Sequence, residues 1–311
     1  MKPILIVCSI LLALAAIWFA AGALCFKIAI VRAATQTPGD AVKGARAQYQ
    51  DAIATGQQWI ASQVTERVTI TSADGLKLSA RLYLHPEAKG ILLFFHGYRS
   101  SADLDASCAA ESYYSMGYSL LLPDQRSHGQ SEGRYITFGV REKDDCVLWS
   151  QWCAKRFGDD FPQILSGLSM GATTVLMAAG QSLPVSVRCV IADCGFTSPA
   201  EIMRKIIRCD YHLPAGPLLA GINFYARHCA GFSIYEYATC TAMQTNHLPI
   251  LFIHGLADHF VPSSMTERCF ACCTAQKRLV LVEGAGHGLS YLVDTPRVKK
   301  ELQDFLAKYA A

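Results

Sequence analysis

The pattern of apolar and polar positions divides the chain into three. Residues 4–26 carry no charge, and an apolar run of about 20 residues is what a helix needs to cross a bilayer. Over residues 33–64, Val42, Ala45, Tyr49, Ala52, Ile53, Gly56 and Ile60 recur at helical spacing behind a Pro38-Gly39-Asp40 turn, which predicts a linker turning into an amphipathic helix. Its polar face holds few cations, so packing on the following domain is expected rather than a place on the membrane surface. From Glu66 the period becomes two. Val68 and Ile70 alternate with threonines, Asp74-Gly75 supplies a turn, and Leu76, Leu78, Ala80, Leu82 and Leu84 alternate again, which predicts a β-hairpin at the start of the globular domain.

Beyond the hairpin the strands read as unbroken apolar runs, at 90–95, 118–122, 164–165, 187–192, 249–253 and 278–282. Such runs belong to strands buried on both faces of a parallel sheet. Helical patterns at 140–157, 173–179 and 296–309 separate or follow them, so the fold class is α/β with a doubly wound, mostly parallel sheet. One connection is too long for a plain crossover. Between Asp193 and His247 lie three prolines and two helix-like pieces, 201–208 and 218–228, and an insertion of this size is expected to cap a site. The division is therefore an anchor at 1–26, a juxtamembrane linker and helix at 27–65, and a domain at 66–311 with a cap at about 194–247.

A length of 311 residues accommodates one large domain plus this appendage. The net charge of +3, with no stripe of arginine and lysine among aromatics, excludes a nucleic-acid footprint. For the apolar run, a cleaved signal peptide is the competing reading, with Ala21 and Ala23 imitating a cleavage site. The run is long for that, and no lipoprotein-type context precedes Cys8 or Cys25, so a retained single-pass anchor is expected. Lys27, Arg32, Lys43 and Arg46 follow the run and Lys2 precedes it, which favours the cytoplasmic side for the domain, and 13 cysteines without framework spacing lean the same way. Neither decides the side.

The candidate chemistry centres on Gly167-Leu168-Ser169-Met170-Gly171. The pattern G-x-S-x-G places a serine on a sharp strand-to-helix turn, where larger side chains two positions either way would strike the neighbouring strand and helix. A serine hydroxyl needs a base, and the base an orienting carboxylate. Asp258 follows the strand at 249–253 and His287, between Gly286 and Gly288, follows the strand at 278–282. The order serine, aspartate, histidine differs from that of chymotrypsin and subtilisin.

Together with His96-Gly97 after a buried strand, the polar loop 124–131 and Val261-Pro262 after Asp258, these motifs resemble the α/β-hydrolase superfamily. Within it the chain resembles the S33 aminopeptidase-like and monoacylglycerol-lipase-like esterases, over residues 66–311. The resemblance implies an α/β-hydrolase fold, Ser169 as nucleophile, His287 as general base then acid, and Asp258 as its orienting partner. It also implies an oxyanion hole from the backbone N–H groups of Tyr98 and Met170, no metal and no cofactor. Tyr98 departs from the small residues common at that position, and its bulk is expected to narrow the acyl pocket.

Rival readings stand beside these. His96 and His254 precede glycines at strand ends and are expected to be structural; His259 is the nearest rival base, and Asp193 the alternative acid. Asp124, Arg126 and His128 are expected to brace their own loop. Cys269, Cys272 and Cys273 fall at helical spacing without a fourth ligand, so no zinc site is expected. Phe224, Tyr225, Phe232, Tyr235 and Tyr237 line an acyl pocket or form the cap's own core. The expected function is hydrolysis of a small-molecule acyl ester by a membrane-anchored enzyme. An aminopeptidase taking short peptides is the alternative, with Glu201, Asp210 or Glu236 holding the substrate amine, and a non-catalytic binding protein on the same fold is the alternative of another class.

Overall fold

Runs apolar on both faces become interior strands because only a sheet covered on both sides removes them wholly from water. In a computed structural model, which describes residues 2–33 and 44–310, eight strands form one sheet, and four of its interior strands are buried along their whole length. The Pro38-Gly39-Asp40 turn and Val42 fall outside the described residues. In chain order the strands are β1 (Glu66–Thr71), β2 (Lys77–Tyr83), β3 (Gly90–Phe95), β4 (Tyr118–Pro123), β5 (Gln163–Leu168), β6 (Val187–Asp193), β7 (Ile250–Gly255) and β8 (Lys277–Val282). The helices are α1 (Lys2–Ala29), α2 (Gln50–Ser62), α3 (Ala102–Asp105), α4 (Ser107–Ser115), α5 (Glu142–Phe157), α6 (Met170–Ala179), α7 (Pro199–Lys205), α8 (Ala215–Cys229), α9 (Thr239–Thr245), α10 (Ser263–Cys272), α11 (Ser290–Val293) and α12 (Thr295–Tyr309).

The sheet order is β1-β2-β4-β3-β5-β6-β7-β8. The predicted hairpin pairs β1 with β2, and β2 meets β4, both antiparallel; every other pairing is parallel. One face is covered by α4 and α12, through Tyr113, Leu302 and Phe305, and the other by α5, α6 and α10, through Trp149, Val175 and Cys269. The carboxyl ends of the parallel strands carry the long loops, which is where this architecture places its ligands.

The amphipathic helix of the linker packs as expected. Ile53, Gly56 and Ile60 of α2 are buried, and a Cβ on Gly56 would stand 2.0 Å from the Ser107 carbonyl oxygen of α4. The long connection after β6 holds α7, a π-helical turn at Ile206–Asp210, α8 and α9. Its last helix belongs to the layer under the sheet, where Ala242 and Met243 join the core around α6. The excursion above the strand ends is thus the part before α9. There it forms a third apolar cluster with Phe26, Ile30, Phe138 and Met170.

The largest difference from the sequence reading concerns α1. Its helix runs to Ala29 rather than Phe26, and its final turns are built into the fold. Gly22 meets Gly221 of α8 so closely that a Cβ would lie 2.9 Å from the Gly221 Cα. The Trp18 indole N–H donates to the Pro217 carbonyl (2.9 Å), Phe26 and Ile30 are buried, and Val31 forms a β-bridge with Tyr135. Residues 3–29 make a helix long and apolar enough to cross a membrane.

Candidate active site

The serine turn forms because two glycines let three backbones meet. A Cβ on Gly167 would lie 2.3 Å from the Gly171 carbonyl carbon, and one on Gly171 would lie 1.9 Å from the Phe95 carbonyl oxygen of β3. Ser169, between them, takes φ 56° and ψ −115°, a conformation that L residues rarely adopt. Its N–H is held by the Asp193 carbonyl at 2.8 Å.

The three residues named from their loops converge. The Ser169 Oγ lies 2.9 Å from His287 Nε2, and His287 Nδ1 lies 2.6 Å from Asp258 Oδ2. A proton on Nδ1, donated to the carboxylate, leaves Nε2 to accept the serine hydroxyl. Burial would raise the Asp258 pKa, but hydrogen bonds from His254 and His287 and from the Val261 N–H hold it well below the usual carboxylate range. Phe260 packs against the His287 ring with centroids 5.1 Å apart.

The rivals occupy other places. His254 is fully buried; its Nε2–H points to the Val261 carbonyl (2.9 Å) and Asp258 Oδ2 (3.2 Å), so it braces the aspartate. His259 is exposed, and its carbonyl accepts from Lys205. Asp193 accepts from Ser290 Oγ at 3.1 Å, and burial raises its pKa.

The loop after β3 is tied on both sides of Tyr98. The Gly97 N–H donates to Asp105 Oδ2 (2.7 Å) and the Arg99 N–H to His128 Nε2 (3.0 Å). Among the described residues the Tyr98 N–H between them has no acceptor. Met170 opens α6, so its N–H is one of those a helix start leaves without an intrahelical partner. A Cβ on Gly97 would stand 3.5 Å from the Ser169 Cβ, which brings this loop against the serine. His96 accepts from the Gln125 N–H and His128 holds the Arg126 carbonyl; burial, with His96 alongside, pushes His128 down to about 3, so it is neutral. The Gln130 N–H donates to Asp124 within the loop, and Arg126 ties it to Asp145 of α5 and Asp74 of the β1–β2 turn.

Two neighbours of the site escaped the sequence reading, as did a third residue remote from it. Asp105, from a short helix without a motif, has a buried side chain and faces Arg46 at 3.6 Å while holding Gly97. Cys194 sits where its sulfur, an Asp258 oxygen and a His287 nitrogen lie within 4.8 Å of one another. Burial, then the charges of Asp193 and Asp258, push its thiol well above the usual value, so the set is a hydrogen-bonded pair beside a protonated thiol, a poor fit to a metal ion. Cys240 of α9 joins Cys269 and Cys272, whose hydrogen bonds lower its pKa to about 6.

Comparison with known proteins places the fold. The sequence profile of the prolyl oligopeptidase family matches residues 110–311, more than half of the chain. The chain belongs to that family. The α/β-hydrolase resemblance is thereby shown, and the chain is a hydrolase by family. Bacillus subtilis YqkD is 31% identical over 194 residues, 62% of this chain and 64% of YqkD, so the match spans under two thirds of that relative. Escherichia coli YfhR is 24% identical over 230 residues, 71% of this chain and 73% of its own. Among solved structures, the Pyrococcus furiosus esterase Pf2001 superposes with a TM-score of 0.64 at 21% identity, covering 80% of this chain and 93% of that one. A dienelactone hydrolase from Anabaena variabilis does so at 0.57 and 20%, over 80% and 99%. At these identities the structures speak for the fold alone.

Proposed function

We propose that the protein is a serine hydrolase that cleaves carboxylic esters through an acyl-enzyme. The observation that carries this is the continuous path from Ser169 Oγ through His287 to Asp258, at 2.9 and 2.6 Å. Ser169 Oγ attacks the acyl carbon as its proton passes to His287 Nε2, and the negative oxygen forms opposite the Tyr98 and Met170 N–H groups. The carbon–oxygen bond then breaks, and His287 returns the proton to the departing alkoxide. A water repeats the cycle in reverse order, releasing the acid and the serine. Asp258, held anionic, stabilises the imidazolium of each step.

Two observations favour esters over free-amine peptides. Each cap carboxylate offered for an amine is already paired: Glu201 with Arg268, Asp210 with Lys205, and Glu236 with Arg141. Tyr98, its ring stacked on Phe138 at 5.0 Å, adds apolar surface to the loop that flanks the serine. The family match supports peptide-bond cleavage as the second reading, and a panel of acyl esters and aminoacyl anilides separates the two. The binding-protein reading needs a missing participant, whereas all three are in contact.

We also infer that α1 is retained as a membrane anchor, because cleavage after Ala23 would sever the contacts of Trp18 and Gly22 with α8. A fluorophosphonate probe should label the protein, and Ser169→Ala should abolish labelling. Labelling that survives the substitution would reject the assignment.

A further inference from the structure

Three thiols meet where α9 packs against α10, away from the residues assigned to hydrolysis. Cys240 of α9 is half-buried, and Cys269 and Cys272 stand one turn apart on α10, the first buried and the second half-buried. Both α10 thiols hydrogen-bond the Cys240 sulfur, and the bond from Cys269 is the stronger. Cys273 is engaged elsewhere, accepting from Asn246 Nδ2 at 3.8 Å.

The cluster holds one negative charge, and it holds it on Cys240. Hydrogen bonds from Cys269 and then Cys272, with the guanidinium of Arg268 nearby, outweigh burial and lower Cys240 to about 6, so this sulfur is largely thiolate at pH 7. Arg268 is kept at the cluster by Glu201 of α7, at 2.7 Å. The same Cys269–Cys240 bond, with burial, pushes Cys269 well above the usual thiol value, and burial raises Cys272, so both keep their protons. Two protonated sulfurs fit a metal ion poorly, and among the described residues only the set at Cys194 brings three ligand atoms within 4.8 Å of one another. A half-buried thiolate beside a cation, with a second thiol against it, is instead the arrangement in which a cysteine is oxidised and then resolved.

We propose that Cys240 is an oxidation site that reduces a hydroperoxide and closes a disulfide with Cys269. The Cys240 thiolate attacks the terminal oxygen of the hydroperoxide and the oxygen–oxygen bond breaks. The departing alkoxide, or hydroxide where the oxidant is hydrogen peroxide, takes a proton from solvent, and Cys240 is left as a sulfenic acid. The Cys269 sulfur then attacks the Cys240 sulfur, the sulfur–oxygen bond breaks, and the hydroxide leaves as water with the Cys269 proton. Two thiols lose two electrons, and one hydroperoxide gains them. The bond closes the segment 240–269, which contains β7 and the Asp258 loop. Thr266, one turn before Cys269, places Oγ1 2.7 Å from His254 Nδ1, and His254 braces Asp258, so the modified helix is the one that supports the aspartate from behind. The inference is independent of the reaction proposed at Ser169.

The test treats the full-length protein in detergent with a few-fold excess of hydrogen peroxide, alkylates the remaining thiols and digests with trypsin without reductant. Cleavage at Arg227, Arg268 and Lys277 puts Cys240 on peptide 228–268 and Cys269 on peptide 269–277, so the bond appears as a linked pair in the mass spectrum and fragmentation locates its sulfurs. The pair should form in the parent protein and be lost in Cys240→Ser. It should persist in Cys229→Ser, which removes the other cysteine of the first peptide. Cys269→Ala should stop the reaction one step earlier, with Cys240 trapped by dimedone as the sulfenic acid. If Cys240→Ser does not fold, a transient dimedone adduct on Cys240 of the parent serves in its place. No linked pair in the parent, a pair that survives Cys240→Ser, or a bond from Cys240 to Cys272 in place of Cys269 overturns the proposal.

Discussion

Two aspartates at the ends of neighbouring strands, Asp258 buried and Asp193 half-buried, show how the surroundings divide roles between identical side chains. Asp258 receives hydrogen bonds from His254, His287 and the Val261 N–H, and its pKa falls; Asp193 receives one from Ser290, which desolvation outweighs, and its pKa rises. For Asp258, lowered in the fold, the associated stability is present above the unfolded carboxyl value of about 3.9 and is lost as pH falls through the folded one. For Asp193, raised in the fold, the stability is complete below about 3.9 and is lost as pH rises through the folded value. Asp193→Asn should therefore raise the melting temperature at pH 8 and have no effect near pH 3, with esterase activity retained. A thermal-shift series at the two pH values measures this, and an equal change at both contradicts it. Asp258→Asn should lower kcat on the order of 10⁴-fold, by allowing the wrong imidazole tautomer.

At the scale of elements, legibility follows the range of the interaction. The period-two hairpin, the apolar runs of β3 to β7 and the glycines of the serine turn each leave a local signature, and all appear at their expected places. Asp105 and Cys194 leave none. Each acts through a partner distant in sequence or across the sheet, and the short helix that carries Asp105 has no periodicity to read. The cap shows both outcomes. Its two helices were visible, but Phe224 and Tyr225 turn toward α1, a contact between segments about 200 residues apart that no local pattern encodes. Where the signature was local, its cause can be tested. Gly171→Ala would set a methyl 1.9 Å from a rigid β3 carbonyl, so α6 must lift from the sheet; the cost should exceed the 1–3 kcal/mol of ordinary overpacking and show as a lowered urea midpoint. An unchanged midpoint would mean that the turn is looser than its contacts.

For the whole molecule, the question is where the anchor ends and the enzyme begins. Composition places that border at Phe26, because charge returns at Lys27. Packing places it earlier, at Trp18, where α1 first touches α8. The two borders predict different truncations. Removing residues 1–17 takes away residues that, from 3 to 17, are all exposed, and should give a protein of unchanged melting temperature and short-ester kcat/KM that no longer partitions into membranes. Removing 1–33 also strips Phe26 and Ile30 from the third core, frees the Tyr98 hydroxyl and opens the Val31–Tyr135 bridge. Burial of two such side chains contributes about 3–6 kcal/mol, a large share of the 5–15 kcal/mol that holds a typical domain together. The longer truncation should therefore melt lower by more than about 5 °C and lose short-ester activity, because Tyr98 flanks the proposed oxyanion hole. Equal stability and activity for the two truncations would show that the last turns of α1 are a tether and not a wall of the site.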